Sequence, residues 1–189
     1  MFYEDFKNTY FQTFFISNEQ SNCPLIANIA RIGKNLEEMN ILENDNSAII
    51  SIGYGKRIII NGKYTDFKKI NRENILEIVD YDPIKKLLLV IGSSKPQIET
   101  PVHWIVHHAR NDVNVIIHIK NKKLSEKYHK IYPFIVNTEP FNAIDLSKEI
   151  LKKSQKGKNI VLKNNGIILM DTNIKDVENT VLKICGGNK

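Results

Sequence analysis

Glu99, His103, His107, His118 and Lys120 stand close together in the stretch KPQIETPVHWIVHHARNDVNVIIHIK that runs from Lys95 to Lys120. A carboxylate, imidazoles and an amine are groups that trade protons, steady a developing oxyanion or hold a cation. Their spacing predicts how they gather. Glu99 opens a helical run from about Thr100 to Ala109 with His103 and His107 four apart on one face, while His108 turns away. Val113 to Lys120 alternates as a strand, with Val113, Val115, Ile117 and Ile119 on one face and Asn114, Ile116, His118 and Lys120 on the other. A helix followed by a strand returns the chain to where the helix began. Glu99 should therefore meet His118 and Lys120 at one edge of a sheet, the kind of place where sites form.

The His103/His107 pair has the spacing of an H-x-x-x-H metal motif. The residues between them are Trp104, Ile105 and Val106, so the acid that completes such a motif is missing. That pair is expected to hydrogen-bond at a helix surface or a subunit contact.

The elements that must position these groups are legible along the chain. Tyr3, Phe6, Tyr10 and Phe14 recur at three- and four-residue steps beside Phe2, Phe11 and Phe15, which predicts an aromatic-rich helical extension over residues 1–20, buried against the domain or a second subunit. Ser21 and Asn22 are N-cap types and Pro24 suits a first helical turn, ahead of Leu25, Ile29, Ile32, Leu36 and Met39 at helical spacing. Ser47–Gly53 and Arg57–Asn61 read as a hairpin, and Ile75–Val79 and Lys86–Ile91 as two more strands turning at Asp82-Pro83. After the central strand come a short helix near Lys123–Lys130 and an extended Pro133–Val136. A helix over Ile144–Lys153, a strand pair around the Asn164-Asn165 turn and a last helix over Lys175–Ile184 complete the order. The fold class is α/β, a single domain over residues 21–189 whose central, mostly antiparallel sheet is flanked by helices.

The stretch from about Leu25 to Val181 resembles the class II aldolase/adducin family, in particular L-fuculose-phosphate aldolase-like proteins. Family members run Pro-Ser-Ser-Glu, a His four residues after the Glu, then a strand ending His-x-His; here Glu99, His103 and His118 fall at that spacing. The resemblance implies that the Glu is the acid/base and that the two strand histidines, with a third from a later His-Gly, hold a catalytic zinc. This chain carries Lys120 at the second strand position and Asn165 before Gly166 at the third. His118 is then the one imidazole left to ligate zinc or another divalent ion, and an ammonium repels a cation, so no metal cofactor is expected. Glu99 and Lys120 are the candidate catalytic pair. Lys120 either preserves the fold, stabilises an oxyanion or, freed of its proton by burial, forms an imine.

The family's phosphate-binding donors map onto Asn46 and Gly62. Asp45, beside Asn46, adds a carboxylate that disfavours phosphate, and Gln97-Ile98 replaces the family's two serines. Asn46, Gly62, His103 and Asn165 are therefore the candidate ligand-binding residues. The resemblance implies a small sugar-like or carbonyl ligand and a homo-oligomer, commonly a tetramer. Three readings follow: a protein with a degenerate or altered sugar-phosphate pocket lacking the zinc; an active lyase using Glu99 and Lys120 or a weakly held metal; and a non-catalytic binding or assembly protein, as the adducin head domain is believed to be.

Bulk properties narrow the classes further. With 189 residues and 42% hydrophobic content the chain can bury a full core. No apolar run of membrane-spanning length occurs, and Glu4 and Asp5 break any secretory-leader pattern. Two cysteines are too few for a disulfide scaffold, which points to the cytoplasm. The net charge of +6 comes from scattered lysine pairs such as Lys68-Lys69 and Lys152-Lys153. Such a distribution makes a solvated surface and not a nucleic-acid footprint.

Overall fold

The computed structural model describes residues 10–44, 47–136 and 141–186. Their order is β1 (Gln12–Ser17), α1 (Ile26–Glu38), β2 (Ala48–Tyr54), β3 (Arg57–Asn61), β4 (Ile75–Asp82), β5 (Leu87–Ile91), α2 (Thr100–Ala109), β6 (Val115–Ile119), α3 (Lys122–Tyr128), β7 (Phe134–Ile135), α4 (Ala143–Lys153), β8 (Asn159–Leu162), β9 (Gly166–Asp171) and α5 (Ile174–Cys185). All nine strands join one sheet in the order β1-β5-β4-β3-β2-β6-β9-β8-β7. Pairing is antiparallel throughout except for β1 with β5 and β7 with β8. The expected α/β architecture, a mostly antiparallel sheet between helices, is the one observed.

Helices cover both faces of the central strands, which explains why those strands are nearly continuous runs of Ile, Leu and Val. On one face α1, α3 and α5 press Ile29, Ile32, Leu36, Leu124, Val177 and Val181 onto Ile50, Ile52, Ile117 and Ile119. On the other, α2 and α4 lay Val102, Val106, Leu146 and Ile150 over Ile116, Ile160 and Ile168. Beside this second cluster, Trp104 packs with Ile49, Ile58 and Ile60. Alternation along β2 and β6 thus sends Ile49, Ser51, Ile116 and His118 toward α2, and the β2–β6 register sets Ile49 opposite His118 and Ser51 opposite Ile116.

Two local expectations are corrected. Within the extension expected to be helical, Gln12–Ser17 is an edge strand with alternating exposure, pairing in parallel with Leu87–Ile91; residues 1–9 lie outside the described residues. The backbone ladder to β5 satisfies polar groups there and buries Phe11 and part of Phe15 in the β3–β5 cluster. The caps foreseen at Ser21 and Asn22 do not form. Instead α1 starts at Ile26 with Leu25 at its N-cap and no side-chain cap bond. The Ser21 hydroxyl donates to the buried Glu77 carboxylate at 2.9 Å, and Asn22 accepts from Arg72 at 2.6 Å. A buried carboxylate needs donors more than a helix end with access to water does.

Candidate functional site

The chain geometry delivers the expected meeting of helix start and strand end. Glu99 sits at the N-cap of α2 and Lys120 directly after β6, and the Lys120 ammonium lies 2.8 Å from Glu99 Oε1. Gln97 completes the grip. Its Oε1 accepts from Lys120 at 3.3 Å, while its amide nitrogen donates to the carbonyls of Ala48 and Gly62, each at 3.3 Å. The Glu99 side chain is 8% exposed and that of Lys120 20%, so Lys120 is the more accessible member of the pair.

Beside this pair, His118 is buried at 1% exposure and its Nε2 lies 2.9 Å from the Asn165 backbone oxygen. A carbonyl only accepts, so His118 carries its proton on Nε2 and Nδ1 is bare. Burial pushes His118 down to about 4, with the Glu99 charge opposing and Lys120 reinforcing that shift. Asn165 therefore reaches the site through its main chain. The turn that presents it is pressed hard against β6: Gly166 has φ +87°, and a Cβ there would lie 1.8 Å from the Ile119 carbonyl oxygen.

His103 and His107 do not stand on the solvent face of the helix; they turn onto the sheet and share one serine. Ser51 Oγ lies 2.7 Å from His103 Nδ1 and 2.9 Å from His107 Nε2. Ser51 itself is fully buried. Burial lowers both rings, His103 well below its ordinary range and His107 to about 4. His108 does turn away, toward the carbonyls of Trp104 and Lys56.

Among the described residues, four buried side-chain atoms at the start of α2 find no partner: Glu99 Oε2, Thr100 Oγ1, His103 Nε2 and Trp104 Nε1. Buried polar atoms are nearly always satisfied in folded proteins, so an unsatisfied group of this kind marks a place where a ligand or water completes the bonding.

The residues placed by analogy with phosphate donors fare differently. Asn46, with Asp45, lies outside the described residues. Gly62 spends its N–H on the Asn74 carbonyl at 2.7 Å, and a Cβ there would meet Ser94 Oγ at 2.0 Å. Ser94 thus packs directly on Gly62. Asn61 is also internally engaged, accepting from the Ile50 N–H at 2.7 Å and donating to the Ala48 carbonyl at 3.2 Å. A separate cleft of about 580 Å³ lies against β7 and α4, lined by Phe134, Phe141 and Leu146 among others, and none of the Glu99–Lys120 cluster borders it.

Against a metal, the donor set is poor. Zinc sites take three or four His, Cys, Asp or Glu ligands, and among the described residues no three such side chains gather to hold an ion. Glu99 has one oxygen held by an ammonium, and the Asn165 carbonyl already accepts a hydrogen bond from His118.

Sequence reasoning missed Ser51 and the role of Gln97. Ser51 had one usable signal, a polar residue inside the apolar run Ala48–Gly53 that must find a partner once buried.

A family model described as Class II Aldolase and Adducin N-terminal domain matches residues 27–182. Among solved structures, an L-fuculose 1-phosphate aldolase superposes with TM-score 0.70 at 18% identity over 87% of this chain and 83% of that one. YgbL from Klebsiella pneumoniae, titled a putative aldolase/epimerase/decarboxylase, gives 0.69 at 12% identity over 87% and 90%. The N-terminal class II aldolase domain of a conserved protein from Thermoplasma acidophilum gives 0.65 at 13% identity over 90% and 94%. No curated protein matches the sequence.

Proposed function

Because the chain belongs to the class II aldolase and adducin family, we propose that it carries that family's pocket in a zinc-independent form centred on the Lys120 ammonium, and that the pocket takes a small sugar-like or carbonyl ligand. The observation that carries this reading is the 2.8 Å ion pair between Lys120 and Glu99, joined by Gln97. A fixed cation on a partly exposed side chain supplies electrostatic stabilisation to an electron-rich oxygen without a metal. The bare Glu99 Oε2 supplies an acceptor for a ligand hydroxyl. Lyase chemistry in this pocket would use Glu99 as acid/base and Lys120 as the partner of a developing oxyanion. Imine formation is the less favoured use, since the amine nitrogen is already engaged with a carboxylate and an amide.

The second reading, a non-catalytic binding or assembly protein, is favoured by Asn61 and Gly62, whose hydrogen-bonding groups are spent within the fold and not offered to a phosphate. A homo-oligomer accords with the exposed Phe14 and Ile16 along edge strand β1. The free cysteines fit a reducing cytoplasm, and no helix among the described residues is long and apolar enough to cross a membrane.

The test combines metal analysis of the purified protein with calorimetric titration of hydroxyacetone, glycolaldehyde and sugar phosphates, followed by an aldol-cleavage screen. Sub-stoichiometric zinc and binding that is lost in Lys120→Met support the proposal. Stoichiometric zinc with metal-dependent cleavage would return the chain to ordinary zinc-dependent chemistry. Ligand binding with no turnover selects the second reading.

A further inference from the structure

Gln97 stands between Lys120 and the strands that carry it, and its chemistry leaves its amide one orientation. The amide nitrogen lies 3.3 Å from the carbonyl oxygens of both Ala48 and Gly62, and Oε1 lies 3.3 Å from the Lys120 ammonium. Carbonyls only accept and an ammonium only donates, so a flipped amide would lose all three bonds. The two carbonyls are themselves pinned. Asn61 donates to Ala48 at 3.2 Å and to Gly62 at 3.3 Å, and Thr65 donates to Gly62 at 2.8 Å. Gln97, Asn61 and Thr65 are all buried, so bulk water does not compete for these bonds. The circuit closes at the start of β2, where the Lys120 N–H donates to the Ser47 carbonyl at 2.7 Å. Both ends of the Lys120 side chain are thus tied to adjacent residues, the backbone to Ser47 and the ammonium, through Gln97, to Ala48.

A lysine that meets a carbonyl compound has two uses. As an ammonium it stabilises an electron-rich oxygen; as a free amine it attacks the carbonyl carbon and forms an imine. We propose that Gln97 is a positioning residue that holds Lys120 to the first use and away from the second. The proposal rests on reading Lys120 as the working cation of the site. Glu99 alone does not impose this role. The 2.8 Å ion pair gives the ammonium a partner, but a flexible four-carbon stem can still swing the nitrogen about that one oxygen. A second acceptor, on an amide that cannot turn, fixes the nitrogen between two points. A charge held in this way needs no reorganisation when negative charge develops beside it. Imine chemistry needs the opposite, a nitrogen free to shed its partners and approach a carbon.

Reductive methylation of the full chain with formaldehyde and cyanoborohydride, read lysine by lysine by mass spectrometry, tests this role. The amine adds to the aldehyde and loses water to give an imine, and hydride from the cyanoborohydride reduces that imine to the methylated amine, so the rate reports imine formation at each nitrogen. Lys120 should react more slowly than the exposed Lys122 and Lys123. Gln97→Met should raise the Lys120 rate about fivefold, as for loss of one hydrogen bond at the long end of the normal range. Gln97→Glu keeps an oxygen for the ammonium and should leave the rate low, even at a cost in stability. Thr65→Val loosens the Gly62 carbonyl without touching the amide, and should lower stability alone. A wild-type Lys120 as reactive as Lys122, an unchanged rate in folded Gln97→Met, or an equal rise in Thr65→Val overturns the proposal. Where Gln97→Met does not fold, a fast Lys120 in Gln97→Glu overturns it. Failure of hydroxyacetone to bind would sink the pocket reading without altering these rates, and a fast wild-type Lys120 sinks this inference even where hydroxyacetone binds.

Discussion

Replacing Lys120 by Met keeps the length of the aliphatic stem and deletes the charge, leaving the Glu99 carboxylate at 6% exposure beside the Gln97 carbonyl oxygen that Lys120 had also occupied. Breaking a fully buried pair by removing one partner costs ~3–5 kcal/mol. The Lys120 side chain is 20% exposed, so water replaces part of what the ammonium supplied, and the expected loss is about 2–3 kcal/mol. In a domain of this size that corresponds to a fall in Tm of roughly 4–12 °C. Glu99→Gln should cost less, about 1 kcal/mol, because the stranded charge is then the partly solvated one. The double variant removes both charges together, and its loss should fall short of the sum by about 1–2 kcal/mol. Urea unfolding of all four proteins at one pH and salt concentration gives the coupling directly. A Lys120→Met protein within ~0.5 kcal/mol of wild type, or losses that add within that margin, would refute the claim that the ammonium and Glu99 form one unit.

Acid should unfold the protein early. His107 and His118 are held near 4 by burial and stay neutral in the fold, whereas the unfolded chain takes up their protons below about 6.5. The unfolded state thus binds more protons in that window, and stability should fall as pH drops from about 6.5 to 4, by up to ~3 kcal/mol for each group; denaturation midpoints that stay flat across this range would contradict the burial. Gly166→Ala should cost more than ~2 kcal/mol, since the new Cβ meets the Ile119 carbonyl oxygen at a strained φ, and a midpoint near wild type would show that the turn relaxes. A chelator should leave the melting temperature unchanged, and added zinc should not raise it; a zinc-dependent increase would reveal a site assembled from ligands not foreseen here. Phe14→Lys with Ile16→Lys on the exposed face of β1 should lower the mass measured by light scattering with little change in monomer stability, while an unchanged mass would place any subunit contact elsewhere.

The fold was open to sequence reading where its signals are local. Runs such as Ile49–Ile52 and Arg57–Ile60, the Gly55 turn between them and the periodic face of α1 each specify their element over a few residues. The aromatics of β1 fit a helical spacing equally well, and what makes it a strand is a partner far along the chain, Leu87–Ile91. Its first and third inward positions, Thr13 and Ser17, are polar, so the two-residue alternation that would have announced a strand is faint. Glu99 and Lys120 could be paired in advance because a helix and the strand after it return the chain to its starting edge. Ser51 could not. Its meeting with His103 and His107 depends on the β2–β6 register and on how α2 crosses β2, neither of which is encoded near residue 51.

Glu99 has two explanations that the sequence alone does not separate. In the family it resembles, the residue is an acid/base; in this chain, an ammonium at position 120 needs a carboxylate opposite it whether or not any chemistry takes place. The ion pair by itself is therefore neutral between a working pocket and a repacked one. The atoms outside that pair discriminate. A repacked pocket has every reason to satisfy its polar groups or exchange them for apolar ones, as buried ion pairs can be replaced by hydrophobic contacts at little loss. Here, among the described residues, one oxygen of Glu99, the hydroxyl of Thr100, one nitrogen of His103 and the indole nitrogen of Trp104 stay buried without partners, each costing about 1–3 kcal/mol if nothing binds them. A cost of that size spread over one helical turn is the physical reason for testing the site with hydroxyl-bearing ligands before treating it as a structural relic.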